Sequence, residues 1–134
     1  MKISNHRVEE IINFIKGLKL DQKFQKEFTK EKIKNILYIN ESLTHSSANS
    51  EINYENLEFL GDAVLRLIAS DFIKNKYPYM QVGERSELRS HLVSDQWLEE
   101  VGKKIEIKRV LVIGKKLLKT PQQMQLFKQR QPKH

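Results

Sequence analysis

The sequence predicts an all-α fold, and three observations carry that prediction. Apolar residues recur three and four positions apart along most of the 134-residue chain, the period of a helix with one buried face. One run, VLVIG at 110–114, has the look of a strand, and a single strand of that length builds no sheet. The punctuation is that of helix ends, with polar residues before the apolar-periodic stretches and proline or glycine after them. Six or seven helices are expected. Residues 1–117 form one helical domain and residues 118–134 a basic tail, either a short helix or disordered.

Each element has its own justification. Val8, Ile11, Ile12, Ile15 and Leu18 place one apolar stripe on a first helix, with Lys and Glu between them. Thr29 is the expected N-cap of a second helix through Ile33, Ile36 and Leu37. The stretch ESLTHSSANSEIN (41–53) is polar and short-sided, so it reads as one helical turn followed by a loop. Asn53 caps a long helix from Tyr54 to about Lys76. Tyr77-Pro78 ends it, because proline disfavours helix in the residue before it. Gly83 lies in a connector, and Glu84 to Leu92 has helical period through Leu88 and Leu92. Ser94 caps a helix that takes Trp97, Leu98 and Val101 into the core and ends near Gly102. Thr120-Pro121-Gln122-Gln123 has the order of a capping box with proline at the first helical position, so a short polar helix follows.

Composition narrows the chemistry. The chain has no cysteine, which excludes disulfides and thiolate zinc sites, and His6, His91 and His134 show no zinc spacing. No stretch approaches the ~20 apolar residues of a membrane span, and the opening MKISNHRVEE lacks the apolar run of a secretory signal. The expectation is a soluble protein of the cytoplasm, or of an organellar stroma or matrix, not secreted and with no membrane partner. The net charge of +7 is uneven: residues 1–106 hold 16 Lys/Arg and all 17 Asp/Glu, whereas residues 107–134 hold 8 Lys/Arg and no acid. Such a tail either attracts phosphates or is simply a solvated end.

The segment NYENLEFLGDAVL (53–65) stands apart. At ~100° per residue, Glu55, Glu58 and Asp62 fall within an arc of about 60° on one edge of the helix. Leu57, Leu60, Val64, Leu65, Leu67 and Ile68 cover most of the opposite side, so the helix is expected to be largely enclosed. Three like charges beside a core are tolerable only if they face water, shift their pKa or meet cations. Acids in a first turn complement the helix dipole, and that alone accounts for Glu55. Asp62 lies mid-helix after Gly61, and both are poor helix formers. Gly61 would let another backbone approach closely. Oxygen-only ligands suit Mg²⁺, which needs one or two carboxylates plus waters and phosphate oxygens. A metal-free acid/base pair of the glycosidase kind is the competing chemistry, and nothing else in the chain points to a sugar. His45 is a second candidate base, though a lone histidine in a small-residue loop is more often a hydrogen-bonded structural residue. Ser46-Ser47 lacks the elbow of a nucleophile.

Glu55-Asn56-Leu57-Glu58-Phe59-Leu60-Gly61-Asp62-Ala63 closely resembles the signature of the ribonuclease III family. Leu43-Thr44-His45-Ser46-Ser47 resembles the family's Thr-His-x-Ser element. Gly83-Glu84 through Ser86, Leu88, Arg89 and Leu92-Val93 resembles the segment after the signature helix. The likeness spans roughly residues 30–116. It implies an all-helical, Mg²⁺-dependent endoribonuclease domain (Mn²⁺ being the alternative ion) that works as a homodimer in double-stranded RNA processing. Water attack on phosphorus would leave a 5′-phosphate and a 3′-hydroxyl. Carried over by motif, the catalytic residues are Asp62, Glu58 and Glu55. Glu58 and Asp62 would be metal ligands, and Glu55 would lie near the dimer cleft and shape the site. Arg85, Arg89, Lys115, Lys116 and Lys119 are the candidates for contact with RNA phosphates.

Three departures from the family pattern stand out. Asn56 replaces a basic or glutamine-like residue, and Val82 replaces a glutamate. The third is larger. The family pattern places a second acidic motif after the Gly114 region, yet the last acid here is Glu106 and KTPQQMQLFKQRQPKH contains no carboxylate. The family's separate double-stranded-RNA-binding domain has no counterpart in these residues. Activity of this chain is therefore in question, and three accounts follow. The chain is a truncated or frameshifted member, or a non-catalytic RNA-binding or interaction module, or a second polypeptide supplies the missing acids.

Overall fold

The computed structural model describes residues 2–118 and Pro121. The chain divides into two compact units, one combining the segment up to Asn56 with residues from Arg109 onward, the other formed by Leu57–Lys108. The described residues are helical, and an isolated parallel bridge between Thr44 and Val112 takes the place of a sheet. The all-α expectation holds. No helix among the described residues is long and apolar enough to cross a membrane.

In the first unit, α1 (Asn5–Gly17) opens on Ser4, whose hydroxyl accepts from the Arg7 N–H. Val8, Ile11 and Ile15 of its stripe are buried, and α1 packs on α3 (Ile33–Ser42), which buries Ile36. Full burial of an aliphatic side chain of this size stabilises the fold by roughly 1.5–3 kcal/mol. Polar ties set the pairing: Arg7 Nε donates to Asn40 Oδ1 at 2.8 Å, and Lys30 Nζ donates to Glu9 Oε1 at 2.9 Å. A one-turn helix, α2 (Gln22–Gln25), is held by Asp21, whose side chain accepts from the Lys23 N–H at 2.7 Å. It is too short to show periodicity. Thr29 precedes a 3₁₀ turn (Lys30–Lys32) that leads into α3, and its side chain bonds the Glu31 carboxylate in place of a helix N–H.

The VLVIG run contributes buried Val110 and one rung of pairing, His45 N–H to Val112 O at 2.8 Å and Val112 N–H to Leu43 O at 2.9 Å. This rung pins the Thr44–His45 loop to the returning chain.

The long helix, α4 (Glu55–Lys76), starts one residue later than expected, with the Asn53 side chain accepting from the Glu55 N–H at 3.0 Å, and ends before Tyr77-Pro78. In the second unit it is followed by α5 (Val82–Leu92) and α6 (Asp95–Lys104), which pack on each other. Gln81 and Glu84 close a reciprocal capping box on α5, and Ser94 Oγ accepts from the Trp97 N–H at 3.2 Å on α6. Helix α6 runs two residues past Gly102, which is accommodated inside it against Ile107.

Four expectations fail in the second unit. Gly83, expected in a connector, is the second residue of α5. Trp97 is half-buried against His91, with ring centroids 5.3 Å apart, and Leu98 is exposed, so neither is core. Among the described residues nothing lies within 4 Å of a Cβ built on Gly61, so no backbone of the described chain approaches there. Helix α4 is not enclosed by the described residues. The capping box expected at 120–123 lies outside the described residues apart from Pro121.

Candidate active site

Helix α4 turns the carboxylates of its signature segment by simple rotation. Glu58 and Asp62 lie one turn apart, about 40° from each other around the axis. The same ~80° sector carries Leu65, Ala69 and Ile73 further along, and Ala69 and Ile73 are the buried residues of this helix. The acids therefore continue the packed stripe toward the N-terminus, where it opens to water. The opposite face is the surprise. Phe59 (90 % exposed), Leu67 (70 %), Leu60, Ile68 and Val64 are all exposed, and so is Phe72. Of the apolar side expected to be enclosed, Leu60, Val64, Leu67 and Ile68 are exposed among the described residues, and the helix packs along the narrower Leu65–Ala69–Ile73 row instead.

The environment of the two acids is open. Glu58 is exposed and makes no hydrogen bond or ion pair among the described residues. Asp62 Oδ2 lies 3.6 Å from Arg66 Nε, with both side chains more than half exposed. That separation is too long for a hydrogen bond, and exposed pairs of this kind are worth about 0–1 kcal/mol, so the contact is easily displaced. Glu55 occupies the first turn, its N–H held by Asn53, and belongs to the first unit.

No group of three or more potential metal ligands exists among the described residues. Glu58 and Asp62 do not make a self-contained metal site. Two exposed carboxylates one turn apart do suit a hard divalent ion that keeps most of its waters and takes its remaining oxygens from a phosphate.

The candidate RNA contacts fall into two sets. Arg85 and Arg89 lie one turn apart on α5 in the second unit, and the structure joins Lys74 and Ser70 of α4 to them around one pocket, with Arg89 Nη1 donating to Ser70 Oγ at 3.1 Å. The sequence reading missed Lys74, Ser70 and Ser86. The spacing of four between Ser70 and Lys74 and between Arg85 and Arg89 was the available signal. Lys115 and Lys116 sit in a 3₁₀ turn of the first unit, and Lys119 lies outside the described residues. His45 is structural. Its Nδ1 accepts from the Ser47 N–H at 3.1 Å and lies 2.8 Å from Ser47 Oγ, which in turn accepts from the Gly114 N–H at 2.9 Å. The ring stacks on Tyr54, with centroids 5.5 Å apart.

Comparison with known proteins gives this geometry its context. The family model described as ribonuclease-III-like matches residues 35–128. Over 117 residues the chain is 45% identical to a protein named Ribonuclease 3 from Prochlorococcus marinus, covering 87% of this chain and 47% of that protein. It is 40% identical over 80 residues to Ribonuclease 3 of Legionella pneumophila, covering 60% and 35% of the two chains. It is 32% identical over 117 residues to Ribonuclease 3 of Borreliella afzelii, covering 84% and 43%. The chain thus spans less than half the length of these curated relatives. No solved structure matches.

Proposed function

The chain belongs to the ribonuclease III family, and from that premise we propose that it is an endoribonuclease domain that hydrolyses phosphodiesters of double-stranded RNA with the help of Mg²⁺. One observation carries the reading. Glu58 and Asp62 present two open carboxylates in register, beside a face of α4 that packs, with one loose cation as competitor. A buried acid pair locked to arginine could not release its oxygens, whereas this one can. Glu58 and Asp62 hold the ion, and Mn²⁺ substitutes for it. Glu55 shapes the edge of the site from the first turn. A bound divalent ion would supply charge neutralisation at the phosphodiester and a more acidic water; attack of water on phosphorus with cleavage of the P–O3′ bond leaves a 5′-phosphate and a 3′-hydroxyl. Arg85, Arg89, Lys115, Lys116 and Lys119 offset backbone charge, and double-stranded RNA is gripped by shape, phosphates and 2′-hydroxyls. The exposed apolar face of α4 is the surface on which two copies pair as a homodimer. The protein works in the cytoplasm or an organellar matrix, where such RNA is processed.

These 134 residues supply one acid pair, since none follows Glu106. Cleavage by this chain alone is accordingly slow, and a polypeptide donating a second pair accelerates it. The same observation favours a second reading, a non-catalytic module of this fold that binds RNA or a protein partner. A simple RNA duplex separates the two. The first reading expects cutting with Mg²⁺ that stops in chelator and drops at least roughly tenfold in Asp62→Asn, the loss of about 1.4 kcal/mol of transition-state stabilisation. Equal rates for parent and Asp62→Asn would remove the metal role. Salt-sensitive duplex binding with no cut at any Mg²⁺ concentration would establish the second reading.

A further inference from the structure

We propose that the pocket between the C-terminal half of α4 and α5 is a binding site for a single phosphate group, separate from the Glu58–Asp62 pair. Ser70 and Lys74 line it from α4, and Arg85, Ser86 and Arg89 from α5, over a floor of Ile73 and Val82. Three side chains that carry positive charge converge there, and no carboxylate lines the pocket. None of the three makes an ion pair among the described residues. Without an anion, that convergence is repulsive and stabilises nothing.

The two guanidiniums are held in place by the fold. Arg85 Nη2 donates to the Pro78 carbonyl, which fixes it against the turn between the helices. Arg89 Nη1 donates to Ser70 Oγ at 3.1 Å, and Ser70 Oγ itself donates to the Arg66 carbonyl at 2.7 Å. A guanidinium has five N–H donors, so most of each fork stays unused. One of these, Arg85 Nε, is buried and has no acceptor among the described residues. Buried charged donors of this kind are normally satisfied, and this one belongs to a residue that lines the pocket.

The ligand class follows from donor number and space. Two forks, an ammonium and the Ser86 hydroxyl call for more acceptors than the two oxygens of a carboxylate. A tetrahedral phosphate offers them and matches arginine forks in bidentate fashion. The pocket measures about 210 Å³, below the ~300–1,000 Å³ of sites that enclose a whole small molecule. One phosphate group fits it and a complete nucleotide does not. Two sources present that group, a phosphodiester in an RNA backbone and free inorganic phosphate. Assignment to the backbone rests on the proposed function; the phosphate chemistry stands without it.

The test is a titration of the 134-residue protein with inorganic phosphate at constant ionic strength, read by NMR at the arginine Nε–H signals. Arg85 and Arg89 should shift saturably. Lys74→Gln, at a residue that makes no hydrogen bond or ion pair among the described residues, should weaken the site roughly tenfold, the loss of about one charge-assisted contact. Arg89→Gln should abolish it, and the lysine variant keeps the test valid if removing the Ser70 tie unfolds the protein. If an RNA duplex, added with chelator present, displaces phosphate and binds more weakly to Lys74→Gln, the site is confirmed with the backbone as source. If phosphate binds and the duplex neither competes nor responds to the variant, the site is confirmed with free phosphate as source. No saturable shift, or the same shift in Lys74→Gln, overturns the proposal. That failure leaves the Asp62→Asn cleavage result untouched, so the two readings fail independently.

Discussion

At the scale of single residues, Gly114 shows how tightly the loop around His45 is tied. Its φ of −63° is open to any residue, so conformation is not why glycine stands there. A Cβ at this position would lie 2.3 Å from the carbonyl oxygen of Ser47, and a backbone atom cannot step aside as a side-chain tip can. Gly114→Ala should therefore cost about 1–3 kcal/mol, the range for overpacking a close contact. A denaturant melt that leaves the midpoint unchanged would refute that close approach. The Ser47–Gly114 bond joins residues 67 apart in the chain, which no local pattern announces. The shared edge of Glu58 and Asp62 was legible because helical rotation is fixed by spacing alone. What faces them was not, because burial depends on which other elements arrive. For the same reason Gly61, read as a place of close backbone approach, proves to be open.

Among elements, the caps and stops of α4, α5 and α6 were readable, since Asn53, Pro78 and Ser94 act on their immediate neighbours. Helix α2 was missed because four residues carry no period. The expected N-cap at Thr29 makes no side-chain capping bond and precedes a 3₁₀ turn, so α3 starts at Ile33. Enclosure of α4 was anticipated from the apolar residues around it, and the described residues of one chain do not supply it. An apolar face requires a partner, and the partner need not be in the same chain. The contact between α1 and the turn before α3 yields a pH prediction. The hydrogen bond and charge of Lys30 hold the Glu9 carboxyl below its ordinary 4.5. The backbone N–H of Glu31 and the side chain of Thr29 do the same for Glu31. Folded-state values below the unfolded ones mean that this stabilisation is present above pH 4.5 and is lost as pH falls through the lowered values. Both groups are fully exposed, so the effect is small. Melting temperature should fall as pH drops below 4.5, and Lys30→Ala should reduce that fall. An identical acid response in the variant would show that the Glu9–Lys30 bond does not form in solution.

For the molecule as a whole, α4 leaves Phe59, Leu60, Leu67, Ile68 and Phe72 exposed on one helix. Contiguous apolar surface of this kind marks an interaction site. Sedimentation of the parent should give a dimer. The double variant Leu67→Asp, Ile68→Asp should sediment as a monomer with its helical circular dichroism retained. A monomeric parent at high concentration would assign that face to another partner. The fold class and the family likeness were plain in the sequence, because a nine-residue signature and a helical period are local properties. The pocket lined by Ser70, Lys74, Arg85 and Arg89 was not, because it needs side chains brought together from two helices.

The account depends most on Glu58 and Asp62 taking a divalent ion. Mn²⁺ titrated into the protein at low concentration broadens the NMR signals of nuclei near it and reads this directly. The account predicts that the amides of residues 58–62 broaden first, that Mg²⁺ reverses the effect, and that Asp62→Asn abolishes it. Broadening that begins elsewhere, or that persists unchanged in Asp62→Asn, would contradict it.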